Sequence, residues 1–219
     1  MALCREHRPD KSRFQRPYTH RIRQPGVDQE VTLTIKQAKF TAEGFASTVW
    51  DSSIVMAKYF ERCAKHYKGL HCLDLSAGCG LVGIVLGKLG ADVTATDLPG
   101  NLPLLANNFD TNGVVATVIE HWWGSNAAPL LPPFDVIVAC DVMYIHDAIG
   151  DLITTLKAVS TKDTEVFIAH GRNRQAEGAF LAACAGSFAV TDVASDELDP
   201  VYQCSDVRVM RLKKCSGML

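Results

Sequence analysis

Between residues 71 and 97 the chain sets out groups that could hold a nucleoside. His71 to Leu75 is a short apolar run that carries a carboxylate at Asp74. Ser76-Ala77-Gly78-Cys79-Gly80 is a turn of small residues, and Leu81-Val82-Gly83 opens an apolar stretch. Asp92 to Thr96 is a second apolar run, and Asp97 ends it with an acid. Glycines let backbone approach a ligand closely, a helix N-terminus presents free N–H groups, and an acid at the end of the second strand can accept ribose hydroxyls. Further along, the apolar run Val136 to Cys140 ends at Asp141-Val142-Met143-Tyr144, and tryptophans stand at Trp50, Trp122 and Trp123.

Two cofactor readings compete for this turn. Gly78-x-Gly80-x-x-Gly83, with Asp97 about 20 residues on, satisfies the dinucleotide fingerprint. In such sites, however, the strand runs apolar into the first glycine, whereas here Asp74 ends the strand and Leu75-Ser76-Ala77 intervene. Asp74-x-Ser76-x-Gly78-x-Gly80 instead resembles the D/E-x-G-x-G-x-G signature of seven-strand methyltransferases, in which the acid can hold the turn through backbone N–H groups. The methyltransferase reading is favoured. A third reading is a glycine-rich strand–helix turn with no ligand.

The elements needed to position these residues follow in order. Val31-Thr32-Leu33-Thr34-Ile35 alternates as a half-buried strand. A helix starts near Asp51, a fair N-cap, with Val55, Tyr59 and Cys63 beside Met56, Phe60 and Ala64 on one broad face. The spacing then predicts a strand over 71–75, a helix over 80–89, a strand over 92–96 and a helix facing inward through Leu102, Leu105, Ala106 and Phe109. Strands over 114–119 and 134–140 come next. The second has no polar alternation and reads as a central, doubly covered strand. A helix from near Asp147 buries Ile149, Leu152, Ile153, Leu156 and Val159. A strand over 164–169, a helix over 175–185 and an antiparallel pair over 188–193 and 206–212 close the chain. Alternating strands and helices mean an α/β fold, Rossmann-like, with a mostly parallel sheet. Ligands of such sheets bind outside the carboxyl ends of the strands. Asp74 to Gly80, Asp97, Trp122-Trp123 and Asp141 to Tyr144 should therefore line one cleft.

The chain has 219 residues, enough for one domain with an extension. Its net charge is −2, yet residues 1 to 26 hold seven basic residues against two acids, so the remainder is acidic. An acidic body is a poor platform for nucleic acid. Residues 1–28, rich in Arg and Pro, read as a flexible basic tail, and 29–219 as the domain. No run of 18 apolar residues occurs, so no membrane span is expected. No apolar leader follows the basic N-terminus. Eight cysteines without a C-x-x-C pair fit reduced thiols in the cytosol or nucleus. No ligand spacing suggests a metal, and His146 and His170 have no partners at such spacing.

With those residues in view, the chain resembles the protein lysine methyltransferases of the methyltransferase-like seven-strand group, which modify chaperones, the valosin-containing ATPase and translation elongation factors. The match spans roughly 44–168. It rests on Trp50-Asp51, on Leu73 to Gly83, on Asp97, on Trp123-Gly124, and on the D-x-x-Y box Asp141-Val142-Met143-Tyr144. The resemblance implies S-adenosylmethionine as cofactor and S-adenosylhomocysteine as product. It implies that Trp50 packs on the methionine end, that Ser76, Ala77 and Gly78 pass under the cofactor, and that Asp97 holds the ribose hydroxyls. Trp123 and Cys140 would flank the adenine, with Asp74, Gly80 and Leu98 completing the cofactor set. Asp141 and Tyr144 would face the incoming lysine of a protein substrate. Where the family has glycine, this chain has Ser76. The stretch His170 to Arg174 maps onto no substrate pattern. A monomer suffices for this chemistry.

Simpler readings stand beside these. Trp50 and Trp123 could be core aromatics, Asp97 a turn or cap residue, and Asp141 and Tyr144 loop residues ahead of a helix. Among other functions, an adenine-N6 enzyme would carry an N-P-P-Y-type box and a cytosine-5 enzyme a Pro-Cys pair, and neither occurs. A small-molecule methyltransferase, a nucleotide-dependent oxidoreductase and a catalytically idle binding module remain as alternatives.

Overall fold

The computed structural model describes residues 16–23, 29–38 and 46–215. Four strands, β3 (His71–Asp74), β4 (Asp92–Asp97), β5 (Ala116–Glu120) and β6 (Val136–Cys140), run parallel with β7 (Glu165–His170). The sheet has seven strands in the order β5-β4-β3-β6-β7-β9-β8. β9 (Arg208–Lys214) inserts antiparallel between β7 and β8 (Phe188–Asp192). The expected closing pair is therefore present, with the last strand inside the edge.

Strand side chains alternate between faces, and each face has its own helical cover. Cys72, Val136, Val138 and Phe167 join the core that includes α1 (Asp51–Arg62), α2 (Leu81–Lys88) and Phe109 of α3 (Leu102–Thr111). Leu73, Ile137, Ala139 and Val166 join the core under α4 (Ile149–Val159) and α5 (Glu177–Cys184). Because both faces are covered, β6 reads as the uninterrupted apolar run seen in the sequence. The chain leaves β3 toward β4 and β5, then returns to the other side of β3 as β6. The connections diverge between β3 and β6, which opens a crevice at their carboxyl ends.

Two differences from the sequence reading bear on the site. The stretch assigned to a flexible tail contains β1 (Tyr18–Arg23), paired antiparallel with β2 (Glu30–Ile35). Tyr18, His20 and Ile22 turn inward on alternate positions, a signal hidden among the arginines and prolines. Residues 1–15 and 24–28 of that tail lie outside the described residues. The hairpin is bracketed onto α3: Asn112 pairs with both backbone groups of Thr34, and Asn108 does the same for Lys36. At α1, Trp50 is the cap position and Asp51 is already helical, with no side-chain cap present. The remaining elements fall within a few residues of expectation, as helix and strand ends usually do.

Candidate active site

The turn after β3 is held from below and from the side. Asp74 is fully buried, and its carboxylate accepts the Gly83 N–H at 2.7 Å, closing the N-terminal end of α2. A Cβ at Gly83 would meet the Phe109 ring at 2.9 Å and Asp74 Oδ2 at 3.0 Å, so only glycine lets the helix come this close to the strand end. Burial pushes the Asp74 carboxyl up to about 7, against the pull of the Gly83 N–H. Along the turn Ser76, Gly78 and Gly80 have φ of 61°, 58° and 80°, the left-handed region. Ser76 N–H donates to Thr96 Oγ1, Ala77 N–H to the Thr96 carbonyl, and Gly78 N–H to Asp97 Oδ2 at 2.8 Å.

This hydrogen-bond pattern separates the two cofactor readings. A dinucleotide site needs the turn's N–H groups and the helix N-terminus for a pyrophosphate. Here β4 takes three turn N–H groups, and the buried Asp74 carboxyl takes the Gly83 N–H at the helix end, so none of these donors is free for a phosphate. What remains open is the stretch 76–78, half-buried between buried neighbours on either side.

Asp97 is buried at the end of β4. Its second oxygen accepts the Leu98 N–H at 2.8 Å, and Asn101 beside it ties down the Gly78 carbonyl at 2.7 Å. Burial raises its carboxyl above the ordinary value, while the Leu98, Gly78 and Asn101 donors draw it back. Each carboxylate oxygen offers two lone pairs, so Asp97 retains acceptor capacity for hydroxyls. Leu98 is exposed beside it. The Trp123 indole N–H donates to Ser76 Oγ at 2.9 Å, so the extra side chain at Ser76 is taken up by the tryptophan. Trp122 departs from the expected arrangement: it is 54% exposed and its indole N–H reaches Glu120, so only Trp123 meets the turn.

The second half of the crevice lies at the end of β6. Asp141 sits at φ 54°, a strained position for a residue other than glycine. Its N–H donates to the Ala169 carbonyl, one carboxylate oxygen accepts the Gly171 N–H at 2.7 Å, and the other accepts the Ser52 hydroxyl. Burial raises its carboxyl, and these two donors and His170 lower it. Cys140, one residue before, feels Asp74 on one side and Asp141 on the other, and burial pushes its thiol far above the ordinary value. Tyr144 is 42% exposed at the rim, its hydroxyl raised by burial and then by Asp97. Trp50 is half-buried ahead of α1, immediately before Asp51 and Ser52.

The sequence-predicted residues thus fall into two groups. Ser76, Ala77, Gly78, Asp97 and Trp123 meet around the turn, while Cys140 ends β6 and Asp141 and Tyr144 follow it. Asp74 and Gly80 support the turn from inside the protein: a Cβ at Gly80 would meet Leu105 and Phe109, not the cleft. Sequence reasoning missed Ser52, Gly171 and Asn101. Ser52 reads as an ordinary first-turn helix residue, and no local pattern reveals a partner 89 residues away.

A family model described as lysine methyltransferase matches residues 27–186. The chain belongs to the lysine methyltransferase family. The mouse protein N-lysine methyltransferase METTL21A is 35% identical over 177 residues, covering 78% of this chain and 81% of the relative. The Xenopus tropicalis EEF1A lysine methyltransferase 3 is 33% identical, over 62% of this chain and 61% of its own length. Among solved structures, the T. thermophilus 16S rRNA N2 G1207 methyltransferase RsmC, in complex with AdoMet and guanosine, superposes with a TM-score of 0.64 at 18% identity. It covers 91% of this chain and 50% of that one. A TehB-like SAM-dependent methyltransferase from Corynebacterium glutamicum gives 0.58 at 22% identity, over 77% and 90%. These structures share the fold. The chain is thus an enzyme of the S-adenosylmethionine-dependent lysine methyltransferases.

Proposed function

We propose that this lysine methyltransferase modifies a lysine side chain of a folded protein, with the two halves of the crevice dividing the work. The turn 76–78, Asp97, Leu98, Trp50, Trp123 and Cys140 hold the cofactor, and Asp141 and Tyr144 receive the lysine. The observation that carries this reading is the carboxylate of Asp141, fixed by two donors at the end of β6, the strand next to the one that feeds the cofactor turn. The bound cofactor supplies an electrophilic sulfonium methyl, and a positive charge that disfavours the ammonium form of a nearby lysine. A free lysine has a pKa of about 10.4. Burying it in the crevice favours the neutral amine. Asp141 favours the ammonium, so its role is to capture and orient the side chain before the proton is lost. Tyr144, half in solvent, offers an aromatic wall and a hydroxyl at the mouth. Alignment of this kind contributes roughly 7–11 kcal/mol to a two-body reaction.

The partner is a protein of the cytosol, in the class of chaperones, ATPases or translation factors, and the enzyme works as a monomer. Among the described residues no helix is long and apolar enough to cross a membrane. The test is to incubate the protein with methyl-labelled S-adenosylmethionine and cytosolic extract, beside Asp141→Ala. A discrete labelled band that protease removes and the variant does not produce supports the reading. Label that nuclease removes, or that stays with small solutes, refutes it.

A further inference from the structure

Ser52 is fully buried in the first turn of α1, and its hydroxyl donates to Asp141 Oδ2. Its neighbour Ser53 is spent locally, on the Trp50 carbonyl at 2.7 Å. The Gly171 N–H holds the other oxygen of Asp141, and the Asp141 N–H is anchored to Ala169 on β7. Asp141 is thus fixed from two directions, by the β7 end and by α1. Of these anchors only Ser52 is a side chain, and it belongs to the helix that Trp50 precedes.

We propose that Ser52 is a positioning residue for Asp141: its hydroxyl lets the start of α1 set the aim of the carboxylate that receives the lysine, and so couples that carboxylate to the segment carrying Trp50. The inference rests on Asp141 being the lysine-capturing acid. A residue in the left-handed region persists only where its surroundings hold it. Without Ser52, one oxygen of Asp141 would lose its donor while staying beside the fully buried position 52 of α1.

The charged and titratable groups facing Asp141 are Asp51 on α1, Cys140 on β6 and His170 at the end of β7. Glu177 of α5 stands 3.6 Å behind His170. Asp51 opposes ionisation of Asp141 and His170 assists it. Ser52 is a neutral donor among these charges, and hydrogen bonds to a charged form favour that form. Removing it leaves burial and Asp51 opposing ionisation, so the proton should bind Asp141 more tightly.

The experiment uses the full chain with 13C-labelled aspartate and no ligand, following carboxyl resonances against pH. Asp141→Asn identifies the Asp141 signal by its disappearance. In Ser52→Ala the Asp141 midpoint is expected to move upward, corresponding to roughly tenfold tighter proton binding. Ser53→Ala, which alters the same helical turn without touching Asp141, is expected to leave it in place. An unmoved or lowered midpoint in Ser52→Ala overturns the proposal, and so does an equal rise in Ser53→Ala. Asp141→Ala in the labelling assay separates the two ideas. A fully active Asp141→Ala enzyme would remove the lysine-capture role, while the titration would still report whether the hydroxyl controls the carboxylate.

Discussion

Replacing Asp97 with asparagine separates its two jobs. In the protein its oxygens accept the Gly78 and Leu98 N–H groups, both at 2.8 Å. Asparagine has one carbonyl oxygen and an NH2 group, so it can keep one of these bonds and must aim donors at the other N–H. A hydrogen bond to a charged group contributes about 1.5–3 kcal/mol. Both bonds join protein groups to one another, so that loss falls on the fold. At about 2–4 °C per kcal/mol for a chain of this size, the melting temperature should drop by about 3 to 12 °C. In the proposed cofactor role the carboxylate's remaining acceptor capacity would serve the ribose hydroxyls, and losing it should weaken S-adenosylhomocysteine binding by roughly 10- to 100-fold more. Scanning fluorimetry and titration calorimetry read the two effects separately. A lower melting temperature with unchanged affinity would make Asp97 a turn cap alone. An unchanged melting temperature would refute the hydrogen-bond account itself.

Other outcomes follow from the same geometry. Asp74 has its folded carboxyl pushed up to about 7 against an ordinary 3.8, so the native state holds the proton more tightly than the unfolded chain does. Its contribution to stability is full below about pH 4 and is lost as pH rises toward 7, by at most about 4 kcal/mol at about 1.4 kcal/mol per unit. Asp74→Asn keeps an acceptor for Gly83 and should flatten that limb in denaturant titrations of the two proteins between pH 4.5 and 8. Gly78→Ala puts a Cβ 2.9 Å from the Ala46 carbonyl oxygen at a left-handed φ, so it should cost about 1–3 kcal/mol and more than roughly tenfold in S-adenosylhomocysteine affinity. Gly186→Ala, strained but with nothing within 4 Å, should lower stability in the same melting assay and leave that affinity alone. Tyr144→Phe should leave S-adenosylhomocysteine affinity within a few-fold while slowing methyl incorporation, since the hydroxyl is lost and the ring wall is kept.

The parts of this site legible in the sequence are those built by neighbours along the chain. Asp74, Gly78, Gly83 and Asp97 lie in one strand–turn–helix–strand unit, where the pattern of apolar, small and acidic residues dictates both structure and placement. Asp141 was visible because it directly follows β6, an apolar run with no polar alternation. Three features were not visible. The insertion of β9 between β7 and β8 is a topological choice that a hairpin pattern does not encode. The β1 strand is short, and its inward Tyr18, His20 and Ile22 lie among arginines. The Ser52 and Gly171 contacts to Asp141 join distant segments through side-chain and backbone groups that carry no periodic signal. Trp122 and Trp123 show the limit of adjacency: consecutive residues point apart, and only Trp123 reaches Ser76.

The measurement closest to the central claim is the chemical identity of the methylated product. Cytosolic protein labelled by the purified enzyme from methyl-tritiated S-adenosylmethionine would be hydrolysed to amino acids and separated against standards. The account predicts radioactivity with the methyllysines, absent when Asp141→Ala replaces the wild type. Label in methylarginine or methylhistidine, or confined to nucleic acid or small solutes, would contradict it.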